Sequence, residues 1–168
     1  MIAPKLLLIR HAKANPESPT GLDVDRALAP RGERQASWLA EVLAGDEAWR
    51  PERILSSPAT RCQQTAEAIA EACTLDVETT DALALSSWAG RIVDLADELA
   101  EHADHQNGPP GVRVALVSHQ PHLASVIAAL SAGPTAELPR VRTGECFALE
   151  RAGTAPCWAL RAAFRAPD

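Results

Sequence analysis

Short apolar runs alternate with longer amphipathic stretches along the chain. Lys5 to Ile9 (KLLLI) is continuously apolar after its first residue and too short for a helix, which predicts a buried strand. Residues 11 to 30 are polar and proline-bearing, the pattern of a long loop. From Arg31 to Ala44, residues Ala36, Leu39, Val42 and Leu43 recur at helix spacing, with Gly45 as the stop. Arg53 to Leu55 predicts a short strand. A helix running to Cys73 follows, with Ser57 in the N-cap position and Pro58 at the first helical position. Val77 to Thr79 fits another short strand. Over residues 91 to 105, Ile92, Leu95, Ala96 and Leu99 line one helical face, and NGPPG ends the run. Val112 to Val117 is a continuous apolar strand, and Pro121 to Leu130 a helix closed by Gly133-Pro134. Two last strands, 144–150 and 156–164, fit a hairpin across RAGTAP.

Strands alternating with helices predict a three-layer α/β/α fold around a mostly parallel central sheet. With 168 residues and no repeat, low-complexity tract or linker, the expectation is a single domain over residues 1–168. The net charge of −6 argues against a nucleic-acid partner, which would call for a basic excess. No apolar run approaches a membrane span, so no membrane partner is expected. The first apolar stretch is short and quickly followed by Arg10 and Lys13, unlike a secretory signal, so the cytoplasm is the expected location. Cys62, Cys73, Cys146 and Cys157 form no CxxC pair and read as packed, reduced thiols.

The chemistry gathers where strands end. In parallel sheets ligands bind beyond the carboxyl ends of the strands. Arg10-His11 ends the first strand, Ser56-Ser57 the second, and Ser118-His119 the strand VRVALVSH, while Arg61 lies one turn into the helix after Ser57. Alone, each has an ordinary structural explanation: a strand-end histidine facing solvent, a helix-surface arginine. Together they converge on one rim. Two arginines and two histidines there suit a compact anion, phosphate first. Helix N-termini near Pro58 and Pro121 would add N–H donors. His119 and His122 lack a carboxylate or thiolate at ligand spacing, so no metal and no cofactor is expected.

These same residues carry a resemblance. LLLIRHAKA resembles the Arg-His-Gly signature of the histidine phosphatase (phosphoglycerate mutase-like) superfamily, with Ala12 where glycine is commoner. ILSSPATRCQQTAEAI is similar to its Ser-Ser-Pro-x-x-Arg-x-x-x-Thr-Ala segment, and VALVSHQPHLASVI to its strand-Gly-His-x-Pro-x-Leu segment, with Ser118 replacing glycine. The motifs occur in the family's order and span residues 6 to 130. Chain length and DVDRALAPRGERQA look most like the SixA branch, the small phosphohistidine phosphatases. The resemblance implies a phosphoglycerate mutase-like fold and a metal-independent phosphatase. In it His11 is the nucleophile and forms a phosphohistidine intermediate. Arg10, Arg61 and His119 clamp the phosphoryl oxygens. Asp23 and Arg26 then lie beside the pocket, Asp23 hydrogen-bonding catalytic groups and Arg26 helping to bind phosphate; they read equally as solvated loop charges. Ser57 is an auxiliary candidate.

One departure bears on the substrate. Other branches usually carry a general-acid glutamate after the third strand; in TDALALSSWAG that position holds Leu85, and Asp81 lies four residues early. An alkoxide leaving group needs a proton, worth typically 10²–10⁴ in rate, whereas imidazole needs less help. The expected substrate is therefore a histidine-phosphorylated signalling protein. The alternatives are a phosphomonoesterase acting on a small phosphate ester and a non-catalytic phosphate-binding interaction module. Little chain is left over to build a lid, so an open cleft is expected, better suited to a phosphoprotein than to an enclosed metabolite.

Overall fold

A computed structural model describes residues 3–105, 113–131, 137–153 and 158–168. The chain runs β1 (Lys5–Arg10), α1 (Pro30–Gly45), β2 (Arg53–Ser56), α2 (Thr60–Cys73), β3 (Val77–Thr79), α3 (Ala89–His105), β4 (Arg113–Ser118), α4 (His122–Ser131), β5 (Glu145–Arg151) and β6 (Trp158–Arg165). Single 3-10 turns sit at Asp23–Asp25 and Asp81–Leu83. The six strands form one sheet in the order β3-β2-β4-β1-β5-β6. β1 to β4 pair in parallel, and β5 and β6 extend the sheet antiparallel beyond β1.

Period-two alternation in strands buried on both faces explains the layers. Leu6 and Leu8 of β1 point to one face, where they join Leu116, Phe147 and Leu149 and the apolar sides of α3 (Ile92, Ala96) and α4 (Leu123, Ile127). Leu7 and Ile9 point to the other, with Ala115, Val117, Cys146 and Ala148, under α1 (Leu39, Leu43) and α2 (Ala66, Ile69). The three layers and the mostly parallel sheet agree with the expectation from the pattern of runs.

Several boundaries shift. α1 starts at Pro30, whose fixed φ suits a first turn, and includes Gly45; α3 starts at Ala89 rather than 91. α4 starts at His122, one residue later than expected, and β6 lies at Trp158–Arg165 rather than 156–164. Ser57 does not cap α2. The helix begins at Thr60 behind Ala59, and the Ser57 hydroxyl, ahead of it, accepts from Ala59 N (3.3 Å) and from a histidine described below. NGPPG, Val112, Gly133-Pro134, Cys157 and the last three residues of RAGTAP fall outside the described residues. Among those described, no helix is long and apolar enough to cross a membrane.

Candidate active site

The sheet register brings the strand ends together. Arg10 is paired with Ser118, and Ser56 with Val117, so β2, β4 and β1 finish side by side. Hydrogen bonds continue past the strand ends: His11 N donates to Ser118 O (3.1 Å), and Ser57 N to Val117 O (3.0 Å). His11 and Ser57 thus leave the sheet on hydrogen-bonded backbone, and the His119 carbonyl accepts from Leu123 N at the start of α4 (3.1 Å).

The hydrogen bonds define the protons on both rings. His11 Nδ1 lies 2.8 Å from the Ala12 carbonyl, which can only accept, so Nδ1 carries the hydrogen. Its Nε2 faces Arg61 Nε at 3.3 Å, and a guanidinium can only donate, so Nε2 presents a lone pair. His119 is the opposite tautomer. Its Nδ1 accepts from Arg61 Nη2 (3.3 Å), which leaves Nε2–H to donate to Ser57 Oγ (2.8 Å). The two rings meet edge to face with centroids 5.3 Å apart.

Arg61 is the hub, 2% exposed. Besides both histidines it reaches the Asp23 carbonyl (2.8 Å) and Asp23 Oδ2 (2.9 Å). Asp23 Oδ1 in turn accepts from Arg26 Nε (2.8 Å), and Arg26 Nη1 donates to the Asn15 carbonyl. Asp23 therefore hydrogen-bonds a residue of the cluster, while Arg26 is committed to the loop and sits at the edge. Arg10 donates to the Val141 carbonyl (2.9 Å); its buried Nε finds no acceptor among the described residues.

Electrostatics follow from this crowding. Burial, reinforced by Arg61, Arg10 and Arg26, lowers the His11 pKa to about 4, against a partial opposing effect of the Ala12 carbonyl. Burial, with His11 and Arg61 next in weight, takes His119 down to about 3. Both rings are neutral at pH 7. The Arg10 pKa is also lowered, by burial first and then by Arg61, which places the two guanidinium charges within each other's field. Burial would raise the Asp23 carboxyl, but the hydrogen bonds and charges of Arg61 and Arg26 outweigh it and hold the group below its usual range.

Two contributors were given no role at the site by the sequence reading. Thr65 Oγ1 accepts from Ala12 N (3.0 Å) and donates to Arg61 O (2.7 Å), pinning the residue after His11 to α2. Its position four residues after Arg61 was the available signal, since such residues share a helix face. Cys62, read only as core, puts Sγ 3.5 Å from His119 Nε2; burial pushes its thiol up to about 12, so it stays protonated. Cys73 and Cys146 are buried, free thiols as expected. His122 donates from Nε2 to the Leu85 carbonyl (2.9 Å), turned to the backbone, and Leu85 itself is exposed. No group of three His, Cys, Asp or Glu side chains could hold a metal among the described residues.

This arrangement meets two independent likenesses. The model of the histidine phosphatase superfamily (branch 1) matches residues 6–88. The fold superposes on the protein histidine phosphatase SixA complexed with tungstate at a TM-score of 0.79, with 21% identity over 96% of both chains. A candidate SixA phosphohistidine phosphatase from Agrobacterium tumefaciens aligns with 27% identity at a TM-score of 0.75, covering 99% of this chain and 100% of that one. A mycobacterial glucosyl-3-phosphoglycerate phosphatase gives 0.72 at 22% identity over 94% and 97% of the chains. An uncharacterised chloroplastic protein of Arabidopsis thaliana is 39% identical over 64 residues, 38% of this chain but only 29% of that relative's length. Residues 6–88 thus carry the pattern of the histidine phosphatase superfamily (branch 1), and the fold is phosphoglycerate mutase-like and similar to that of the SixA phosphohistidine phosphatases.

Proposed function

We propose that the protein is a metal-independent phosphatase that removes phosphate from phosphohistidine through a covalent intermediate on His11. The observation that carries this reading is the fixed tautomer of His11: with Nδ1–H held by the Ala12 carbonyl, the Nε2 lone pair points into a cluster of arginines. In the first step Nε2 attacks phosphorus, the new P–N bond forms, and the bond to the substrate imidazole breaks. The leaving nitrogen keeps the electron pair; its ring carries a proton at its other nitrogen and departs neutral. Arg61, which touches the nucleophile before reaction, shifts its donors to the phosphoryl oxygens, joined by Arg10. A bound dianion also favours protonation of His119, freeing it to bond an oxygen.

In the second step water attacks phosphorus and the P–Nε2 bond breaks. The water proton leaves with phosphate or to solvent. The Ala12 carbonyl keeps a hydrogen on Nδ1 throughout, so phospho-His11 is a phosphoimidazolium, the labile form, and returns to the starting tautomer.

The substrate class follows from the lack of a poised acid at the cluster among the described residues. Asp23, the carboxylate bonded to the cluster, is held ionised by two arginines, and Leu85 has no proton to give. Esters that need a protonated leaving oxygen lose about 10²–10⁴ in rate without one. The likeness to a glucosyl-3-phosphoglycerate phosphatase favours a second reading, a phosphatase of small esters.

Phosphate release from a histidine-phosphorylated carrier protein and from a serine-type phosphate ester separates the two. The expected result is much faster release from phosphohistidine, none from either with His11→Ala, and an acid-labile, alkali-stable phosphoenzyme on rapid quench. Preference for the ester replaces the first reading by the second; activity that survives His11→Ala removes the nucleophile assignment.

A further inference from the structure

Beyond Arg10 the molecule opens into a cavity of about 420 Å³ between the Lys13 loop, the start of α1, the approach to β5 and the end of β6. Its walls carry Arg10, Lys13, Arg31, Arg140, Arg142 and Arg165, six of the chain's 16 basic residues, in a protein whose net charge is −6. The acidic side chain in this wall is Asp168, whose carboxylate lies between Arg31 Nη2 (3.4 Å) and Arg165 Nη2 (3.6 Å). The side chains of Lys13, Arg140 and Arg142 make no ion pair with a carboxylate among the described residues; Glu145 meets Arg142 only at its backbone N–H, which donates to Glu145 Oε2 (2.7 Å). Mutual repulsion makes such a concentration costly unless an anion offsets it.

The cavity is built on rigid backbone. Gln35 Oε1 accepts from Lys13 N (2.9 Å), Ala29 N donates to Lys13 O (2.9 Å), and Gly144 N is shared between the Arg10 and His11 carbonyls at 3.2 Å. Arg10 belongs to both regions: its guanidinium meets the Val141 carbonyl in the cavity wall and lies within the field of Arg61.

From this juxtaposition we infer that the cavity is a second anion subsite, which takes a carboxylate or phosphate borne by the same substrate whose phosphoryl group meets His11. The inference rests on the proposed phosphatase reading and refines it: the preferred substrate carries two oxyanions, one transferred and one retained. On the exposed side of the cavity the Asp168 carboxylate lies within ion-pair reach of both Arg31 and Arg165. Planar guanidinium groups suit either oxyanion through paired N–H donors. Carboxylates flanking a phosphohistidine and a second phosphate on a small molecule share this chemistry, and the experiment distinguishes them.

Calorimetric titration of the intact protein with four probes tests the inference. They are inorganic phosphate, an alkyl bisphosphate, and two peptides carrying a non-hydrolysable phosphonate analogue of phosphohistidine, flanked by glutamates or by glutamines. At least one doubly anionic probe is expected to bind about tenfold or more tightly than its singly anionic counterpart, the worth of one good charge-assisted pair. That excess should disappear in Arg140→Gln/Arg142→Gln and shrink with added salt. A gain confined to the glutamate peptide identifies acidic protein segments; a gain confined to the bisphosphate identifies a small molecule. Equal affinity for singly and doubly anionic probes, or an excess that survives the double substitution, overturns the subsite. Because binding is read without turnover, failure of the phosphatase reading shows separately, as no release of phosphate from any phosphorylated substrate.

Discussion

At the scale of the single residue, the position of one proton on His11 decides which nitrogen can attack. The carbonyl of Ala12 settles it, and Arg61 reports it from the other side. Imidazole nitrogen shifts measured by NMR at pH 7 should accordingly show His11 with hydrogen on Nδ1 and His119 with hydrogen on Nε2. Both rings should titrate well below the ordinary value of about 6.5, His11 near 4 and His119 near 3. A midpoint near 6.5 for His11 would mean its ring is far wetter than the packing suggests. Arg61 is equally specific in geometry, since its nitrogens serve four acceptors in three directions. A lysine keeps the charge but cannot reproduce that fork. Arg61→Lys is therefore expected to lower kcat/KM by about 10²–10³, comparable to loss of a charge-stabilising donor elsewhere, with a thermal midpoint close to wild type as the control for folding.

Among elements, the site depends on close approaches between backbones that no pattern of apolar residues reveals. Gly32, in the first turn of α1, packs against the main chain of Lys13; a Cβ there would overlap the Lys13 carbonyl oxygen. That carbonyl is backbone and already bonded to Ala29 N, so it cannot swing aside. Gly144 has φ +69° and its missing Cβ would sit 2.9 Å from Gln35 Cβ. Gly32→Ala should therefore cost roughly 2–3 kcal/mol, read as a lowered denaturation midpoint. Gly144→Ala should combine a smaller loss with weakened catalysis, because the amide of residue 144 braces the carbonyls of Arg10 and His11. These contacts explain what was legible beforehand. Apolar runs marked β1, β2 and β4 because their length and composition are local properties, and strand ends in a parallel sheet necessarily share an edge. Ser57 was misread as the N-cap because α2 starts only at Thr60; its hydroxyl accepts from Ala59 N ahead of the helix, and only the fold brings His119 to it as well. Thr65 and Gln35 were overlooked for the same reason: each acts on backbone more than 20 residues away.

For the whole molecule, holding two neutral histidines beneath a cluster of arginines makes stability depend on pH. Unfolded, each ring titrates near 6.5; folded, His11 titrates at about 4 and His119 at about 3. Between those values the unfolded chain binds more protons than the native one, so stability rises with pH across the interval. Read downward, the native state keeps its full advantage above about pH 6.5. It then loses ground steadily towards pH 4, at up to about 1.4 kcal/mol per pH unit for each histidine. Carboxylates add losses of the same sign at the lower end, because Asp23 and Glu78 are held below their ordinary values, Asp23 by Arg61 and Arg26 against its own desolvation and Glu78 by its bond to Arg53. The histidine contribution can be isolated. Urea denaturation of wild type and of His11→Gln/His119→Gln between pH 7 and pH 4.5 should give a steep fall for the former and a markedly flatter line for the latter, whatever their difference at neutral pH. Parallel lines would show that protons enter elsewhere. Sulfate, a dianion at both pH 5 and pH 7, should oppose the fall in wild type, because a dianion beside His11 and His119 raises both pKa values and stabilises the native state that binds it. The protein is thus expected to be most sensitive to acid when its anion site is empty, and midpoints measured with and without sulfate at pH 5 should diverge more than at pH 7.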